Sequence, residues 1–549
     1  MSQDVIRVDN TNSLYRKNCT PHRTPRCWRT AKKVNIPKTR GEERQTYGDV
    51  MLNLSKTFKE KFSLDAHIGA SIKDNRFDEL SVYGPIAGAP NIFNVVNLDK
   101  SQKKTPKTGW HEQTQSFFYS LELGWKSQLF VTTTGRNDWA SQLANSPQKS
   151  FFYPSVGVSW LPSSTFNFPE KFNYLKIRAS WASVANPFPR ELTIATHPYD
   201  DTISGWDDKS NYPIGQLYPE RTKTWELGFD ARFLHGFTLS ASWYRADTYN
   251  QTFNPNLSAS SGYSDIYIQT GHVRNTGVEA SLGYDHQWKN WNWNSQFTFS
   301  WNKNKIIELC KEWYNPITEE TITMNRLQIS KLGRAKFILK EGGSMGDLYS
   351  TTDLRRDDKG NIEIDEGGNV VVEDNLPDMK LGSVFPDYNL AWRNSVSWKN
   401  LNLGFLVTAR IGGIVNSLTQ ANMDLFGVSE ATAAARDAGG ALVNGRSLVN
   451  PETWYTAIAS QGGIPQYYTY SATNVRLQEL SLGYTIPRKW LHNICSITVS
   501  FVGRNLWMMY CKAPFDPEAV ASTNNFYQGM DYFMMPSTRN LGFNINIKF

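Results

Sequence analysis

Asn540 to Phe549 reads NLGFNINIKF. Leu541, Phe543, Ile545, Ile547 and Phe549 alternate with Asn540, Gly542, Asn544, Asn546 and Lys548. A two-residue apolar period is the pattern of a strand with one greasy and one wet face. Ending on an aromatic residue suits a strand that closes a membrane barrel better than it suits a soluble domain. The stretch predicts an all-β fold, a transmembrane antiparallel β-barrel.

The same period recurs far upstream. In Trp291 to Asn302 (WNWNSQFTFSWN), Trp291, Trp293, Phe297, Phe299 and Trp301 share one face. In Trp225 to Phe233, Leu227, Phe229 and Ala231 oppose Glu226, Gly228, Asp230 and Arg232. A one-residue slip would turn those three charges toward lipid, at up to roughly 2–4 kcal/mol each near mid-bilayer, less for the carboxylates. Further strands are read at Phe62–Ile72, Leu121–Lys126, Leu175–Trp181, Phe237–Trp243, Val278–Tyr284, Leu401–Val407 and Ile497–Phe501. Leu234-His235-Gly236 and Lys399-Asn400 are tight turns, whereas 183–223, 247–273, 303–387 and 412–473 are long connections. Short turns at one end and long loops at the other is the plan of an outer-membrane barrel.

Composition agrees. Mean hydropathy is −0.49 and no run of 18 apolar residues occurs, which excludes spanning helices. A barrel escapes that test because alternate residues meet lipid. Aromatic residues make up 13% of the chain, an excess that interfacial girdles would absorb. A net charge of +7 is no nucleic-acid signature. Cys19, Cys27, Cys310, Cys495 and Cys511 lack metal-site spacing, and His22 between the first two does not complete a zinc set. No cofactor or metal is expected.

Residues 1–44 are basic and irregular, with no signal-peptide core. The reading adopted is a chain that begins within a longer gene product, an artefact of a misplaced start or frameshift; a tail for an anionic surface is the alternative. Barrel patterning is read from 45 to 549.

Enzyme motifs fail on context. Gly342-Gly343-Ser344-Met345-Gly346 matches G-x-S-x-G but sits in a polar loop with no helical pattern after it. Arg355 and Lys359 would occupy ligand positions of a calcium loop ending at Glu366. Asp357–Asn361 and Asp365–Asn369 are instead read as hairpin turns, and Ser429–Arg436 as a helix capped by Ser429. An enzyme is not expected. Rings between strands either pack loops together or stack on ligand: Trp206, Tyr212, Tyr218, Tyr263, Tyr267, Trp454, Tyr455, Tyr467, Tyr468, Tyr470, Phe526, Tyr527, Tyr532 and Phe533. Substrate-binding residues are not assigned.

An ordered set of segments carries a resemblance: GRNDWAS from Gly135, YPSVGVSW from Tyr153, LKIRASWAS from Leu175, PERTKTWELGFDARF from Pro219, NTGVE from Asn275, NVRLQELSLGY from Asn474, GRNL from Gly503, FDPE from Phe515 and PSTR from Pro536. Together they resemble the SusC/RagA family of TonB-linked outer-membrane transporters of Bacteroidetes, over about residues 45–549. The resemblance implies import of oligosaccharides or peptides, a SusD-like surface lipoprotein over the barrel mouth, and energy from a TonB complex. In that family a signal peptide, a TonB box and a plug precede the barrel, and none is legible here. About fifteen strands can be read, against roughly 22 in the large plugged transporters, so the C-terminal portion of a barrel is expected. The competing readings are a soluble aromatic-rich β-protein binding carbohydrate and an outer-membrane receptor without transport.

Overall fold

The computed structural model describes residues 2–18, 38–87, 92, 94–190, 192, 199–200, 205–206, 211–212, 217–253, 265–315, 319–522 and 527–549. Two compact units are formed, 1–158 with 180–223 and 256–269, and 159–179 with 224–255 and 270–549.

Among the described residues the principal sheet has sixteen strands in chain order. They are β1 (Ser2–Asn18), β2 (Lys38–Phe58), β3 (Phe62–Val82), β4 (Lys107–Trp125), β5 (Leu129–Ala140), β6 (Phe151–Trp160), β7 (Phe172–Asn186), β8 (Glu220–Phe233), β9 (Phe237–Phe253), β10 (Ile268–Trp288), β11 (Trp291–Glu308), β12 (Tyr388–Trp398), β13 (Leu401–Ile411), β14 (Asn474–Ile486), β15 (Ser496–Cys511) and β16 (Asn540–Lys548). In the first unit the β2–β3 register runs from Lys38 opposite Val82 to Phe58 opposite Phe62. In the second, Trp288 faces Trp291, and Trp291 faces Trp398. Sequence placed no strand before Tyr47. Yet Ser2–Asn18 pairs antiparallel with Lys38–Leu54, so backbone pairing extends where apolar alternation is weak. Cys19, His22 and Cys27 lie outside the described residues.

One face of these strands is apolar and bare. Leu52, Ile68, Leu123, Trp225, Leu227, Leu282, Phe297, Leu403, Phe501 and Phe543 are all exposed, Phe543 at 79%. Such a face needs an apolar medium, because no protein core covers it. Asn394 shares it on β12 and is buried under Trp293, whose Nε1–H donates to its Oδ1 at 3.0 Å.

Connections alternate in length. Loops 59–61, 126–128, 234–236, 289–290 and 399–400 are short, while 83–106, 187–219, 309–387 and 412–473 are long. Leu234 and His235 both take φ near +50°, and a Cβ on Gly236 would strike the Asp285 carbonyl. Rings ladder along the short-turn end of the second unit: Phe172–Phe233, Phe233–Phe237, Phe237–Tyr284 and Tyr284–Trp293 lie 6.4, 5.6, 4.5 and 5.2 Å apart. Lys399 Nζ lies 5.2 Å over the Trp398 ring beside them. This is the aromatic and basic band expected where strands leave lipid.

The buried core of the second unit lies in its long loops. Phe337, Leu348, Val384, Leu418 and Met530 form one cluster, and Leu354, Ala421, Ile458, Ile464 and Tyr468 another. The helices there start as their sequences dictate. Ser417 Oγ caps α1 (Leu418–Leu425) through Gln420 N–H, Ser429 Oγ caps α2 (Glu430–Asp437) through Thr432 N–H, and Asn450 caps α3 (Pro451–Ala459). Asp357 and Asp365 close the two expected turns, each accepting from the backbone N–H four residues on.

A four-stranded loop sheet (326–332, 335–340, 347–350 and 379–383) sets Arg326 directly opposite Lys340. Asp378 resolves that repulsion, accepting from Arg326 at 2.6 and 2.8 Å and from Lys340 at 3.0 Å. The Arg326 guanidinium holds its carboxyl at about 2. The folded value lies below the unfolded one, so this contribution is complete above about pH 4 and disappears as pH falls through about 2. Pepsin cleavage within 319–383 is therefore expected to rise steeply between those values, and Asp378→Asn is expected to be cleaved readily throughout.

Candidate functional site

The face opposite the apolar one is polar and carries the candidate site of the second unit. Residues two apart share a face, so Ser240 and Ser242 on β9, Glu279 and Ser281 on β10, and Thr298 and Ser300 on β11 all line one cavity of about 730 Å³. Thr408 and Arg410 of β13 and Gln478 of β14 continue its wall. Gln478 is an extra residue: Leu406 faces Glu479 and Val407 faces Leu477, so β14 bulges at this point. The bulge resets the alternation, and both Arg476 and Glu479 join the polar side.

Charges on this wall are tied across strands. Arg178 on β7 donates to Asp230 on β8 at 2.7 Å and lies 3.6 Å from Glu226. Ser240 donates to the other oxygen of Asp230 at 2.6 Å. Gly228, between the two carboxylates, leaves room for the guanidinium, because a Cβ there would meet Arg178 Cζ at 2.8 Å. Gly228→Ala should push Arg178 off Asp230 and into the cavity. A crystal structure of the variant should show that shift, with folding retained.

The FDPE segment closes over the same wall. Asp516 accepts from Arg476 Nη1 and Nη2 at 3.2 and 2.9 Å, and Glu518 lies 3.2 Å from Nη2. Asn474 accepts from Arg476 Nε at 3.1 Å. Glu518 thereby reaches the cavity, where Arg410 also points. Arg410 Nη2 donates to the Val384 carbonyl at 2.8 Å, while its buried Nε has no partner among the described residues.

In the first unit, two of the family-like segments interlock. Arg136 of GRNDW donates to Asp138 and to Ser116 Oγ, both at 2.7 Å. Tyr153 of YPSVGVSW donates its hydroxyl to Asp138. These motifs brace one strand against another.

The loop rings divide. Trp454, Tyr455 and Tyr467 pack on the Ile458–Tyr468 cluster. Tyr468 is 2% exposed and donates to Asp424 at 3.0 Å; burial pushes its phenol far above the ordinary range. Tyr470 meets Phe515 edge-on, and Tyr267 packs on the first unit's core. Tyr218, Tyr527, Tyr532 and Phe533 stay exposed. Tyr263, Phe526 and the side chains of Trp206 and Tyr212 lie outside the described residues. Ser344 of the G-x-S-x-G match donates to Asn304 Oδ1 at 3.2 Å and is followed by strand 347–350, with no helix. Sequence missed the cavity residues because each looks like any polar strand position; only register brings them together.

A family model described as "TonB dependent receptor-like, beta-barrel" matches residues 7–506. TonB-dependent receptor P3 of Formosa agariphila is 26% identical over 90% of this chain and 52% of its own length. TonB-dependent receptor SusC of Bacteroides thetaiotaomicron is 21% identical over 68% of this chain and 38% of its own. The RagAB peptide transporter structure superposes with a TM-score of 0.75 at 17% identity, over all of this chain and 60% of that one. The chain spans about half the length of the P3 receptor that it matches. Its relatives are receptors and transporters, and barrels of this kind lie in the outer membrane of Gram-negative bacteria. With strands that are apolar on one face and polar on the other, and a family model covering most of its length, the chain belongs to the TonB-dependent receptor-like β-barrel family.

Proposed function

We propose that this chain is the barrel portion of a SusC-like importer that carries oligosaccharides or peptides across the outer membrane. The observation behind the reading is the mixed-charge, hydroxyl-rich wall around Arg178, Glu279, Arg410 and Glu518 in a barrel of this family. Serine and threonine hydroxyls can exchange hydrogen bonds with sugar hydroxyls or peptide amides, and the charged groups can hold termini or acidic substituents. Two relatives lend support: one is named SusC, and a structural neighbour is described as a peptide transporter. A SusD-like lipoprotein would meet the long loops. TonB would act through a segment belonging to the other half of the relatives' length.

The test is uptake by cells that carry the natural gene or its deletion, given fluorescent oligosaccharide and peptide mixtures in parallel. Energy-dependent loss of one class on deletion supports import and names the substrate. Unchanged uptake of both, with the protein still in the outer membrane, would favour a receptor without transport. Recovery in the soluble fraction would favour a carbohydrate-binding β-protein.

A further inference from the structure

The outward face of β9 to β11 changes character near the long loops. Trp243, Val278, Leu282, Phe297 and Trp301 mark its apolar band. The next outward position on β9 is Arg245, and on β11 Lys303 and Lys305 follow Trp301. Arg274 of β10 lies directly opposite Lys305, and Thr276 opposite Lys303. Two residues along a strand rise about 7 Å, so these cations start one such step above the tryptophans. Tryptophans of this kind mark the membrane interface, and the step above them is the level of lipid phosphates.

Asp247 organises the group. It accepts from Arg245 Nε at 2.9 Å, Arg274 Nε at 2.7 Å and His272 Nε2 at 2.7 Å, and is nearly buried. His272 in turn stacks on Tyr249 at 4.4 Å. Both arginines bond Asp247 through Nε, and among the described residues their Nη ends have no hydrogen-bond partner. Lys303 and Lys305 are exposed. Arg245 and Arg274 thus flank Asp247, and Lys305 stands across from Arg274 on the next strand.

Fold stability does not account for this arrangement. Like charges directly opposite in an antiparallel pair are destabilising. Where Arg326 faces Lys340, Asp378 bonds to both. Where Arg274 faces Lys305, Asp247 bonds to Arg274 but not to Lys305, which has no anionic partner among the described residues. An anion from outside the chain would complete the group as Asp378 completes the other.

We propose that Arg245, Arg274, Lys303 and Lys305 clamp the phosphates of an anionic glycolipid in the outer leaflet. Asp247 fixes both guanidiniums, and the two lysines close the far side. The inference rests on the outer-membrane placement and is independent of what the barrel imports.

The test titrates the full 549-residue chain, held in detergent micelles, with bisphosphorylated lipid A and with the same lipid after dephosphorylation. Bound lipid is counted by native mass spectrometry. Lys303→Gln/Lys305→Gln should weaken binding of the phosphorylated lipid roughly thirty-fold, at the typical contribution of a basic residue near an anionic surface. The variant should bind dephosphorylated lipid as the wild type does. Lys359→Gln, in the exposed 357–361 turn, should change neither. Equal binding of the two lipids by the wild type would overturn the proposal. So would unchanged affinity in the double variant, or full displacement of the lipid by millimolar inorganic phosphate, which would mark a free-anion site.

Discussion

Arginine at Phe297 should abolish stable insertion, and arginine at Thr298, the next residue, should not. Phe297 is 41% exposed on the apolar face, between Leu282 and Trp392 in register. Thr298 lines the polar cavity, between Ser281 and Ala391. An arginine facing lipid near mid-bilayer costs about 2–4 kcal/mol. At an exposed site in water the same change usually stays within about 0.5 kcal/mol. The substitution therefore separates the two media by its sign as well as its size, since removing an exposed Phe from a soluble protein should improve its behaviour. Refolding into lipid vesicles, scored by heat-modifiable migration and urea unfolding, gives the readout. A Phe297→Arg chain that inserts as well as the wild type would contradict the assignment of that face.

The second large effect is expected at Arg476. Its side chain is 5% exposed and holds Asp516 with two hydrogen bonds and Glu518 with a third contact. Removing one partner of a buried ion pair strands the other, at about 3–5 kcal/mol. Arg476→Met should destabilise the chain by that amount in urea unfolding and release the 512–522 segment to protease. Adding Asp516→Asn and Glu518→Gln should recover much of the loss, because no carboxylate is then stranded. The pH dependence has a definite sign. Burial raises the Asp516 carboxyl, but the Arg476 hydrogen bonds and the Glu518 backbone N–H outweigh it and hold it below its ordinary value. Its contribution is complete above that ordinary value and is lost as pH falls through the folded one. The gap between wild type and Arg476→Met should accordingly narrow in acid.

Where lipid imposes a two-residue period, the sequence reads plainly: β16 was legible almost to the residue, and β11 from its start at Trp291 through Asn302, six residues short of its end at Glu308. The Leu234-His235-Gly236 turn and the Ser429 cap were legible because local chemistry dictates them. Strand lengths were not. Phe62–Ile72 extends to Val82 and Val278–Tyr284 to Ile268–Trp288, because strand ends that leave the lipid band are polar on both faces and lose the signal. The bulge at Gln478 is equally silent, since one inserted residue imitates a short lapse in alternation. The candidate site was hidden for a related reason. Arg178 and Asp230 are 52 residues apart, and Arg476 and Asp516 are 40. Their meeting depends on register and loop folding, which no local pattern encodes. The FDPE and GRNDW segments stood out as motifs, but their physical meaning, a loop tied to a strand and a strand braced to its neighbour, exists only in the folded chain.

One scan bears on the whole account. Nitroxide labels placed singly at positions 292 to 301 of the membrane-reconstituted chain would report collision with lipid-soluble oxygen and with a water-soluble nickel chelate. Oxygen contact should peak at 293, 297, 299 and 301, and nickel contact at 292, 294, 296, 298 and 300. A flat profile, or one with nickel reaching the tryptophan and phenylalanine positions, would mean that the greasy side of β11 meets no lipid.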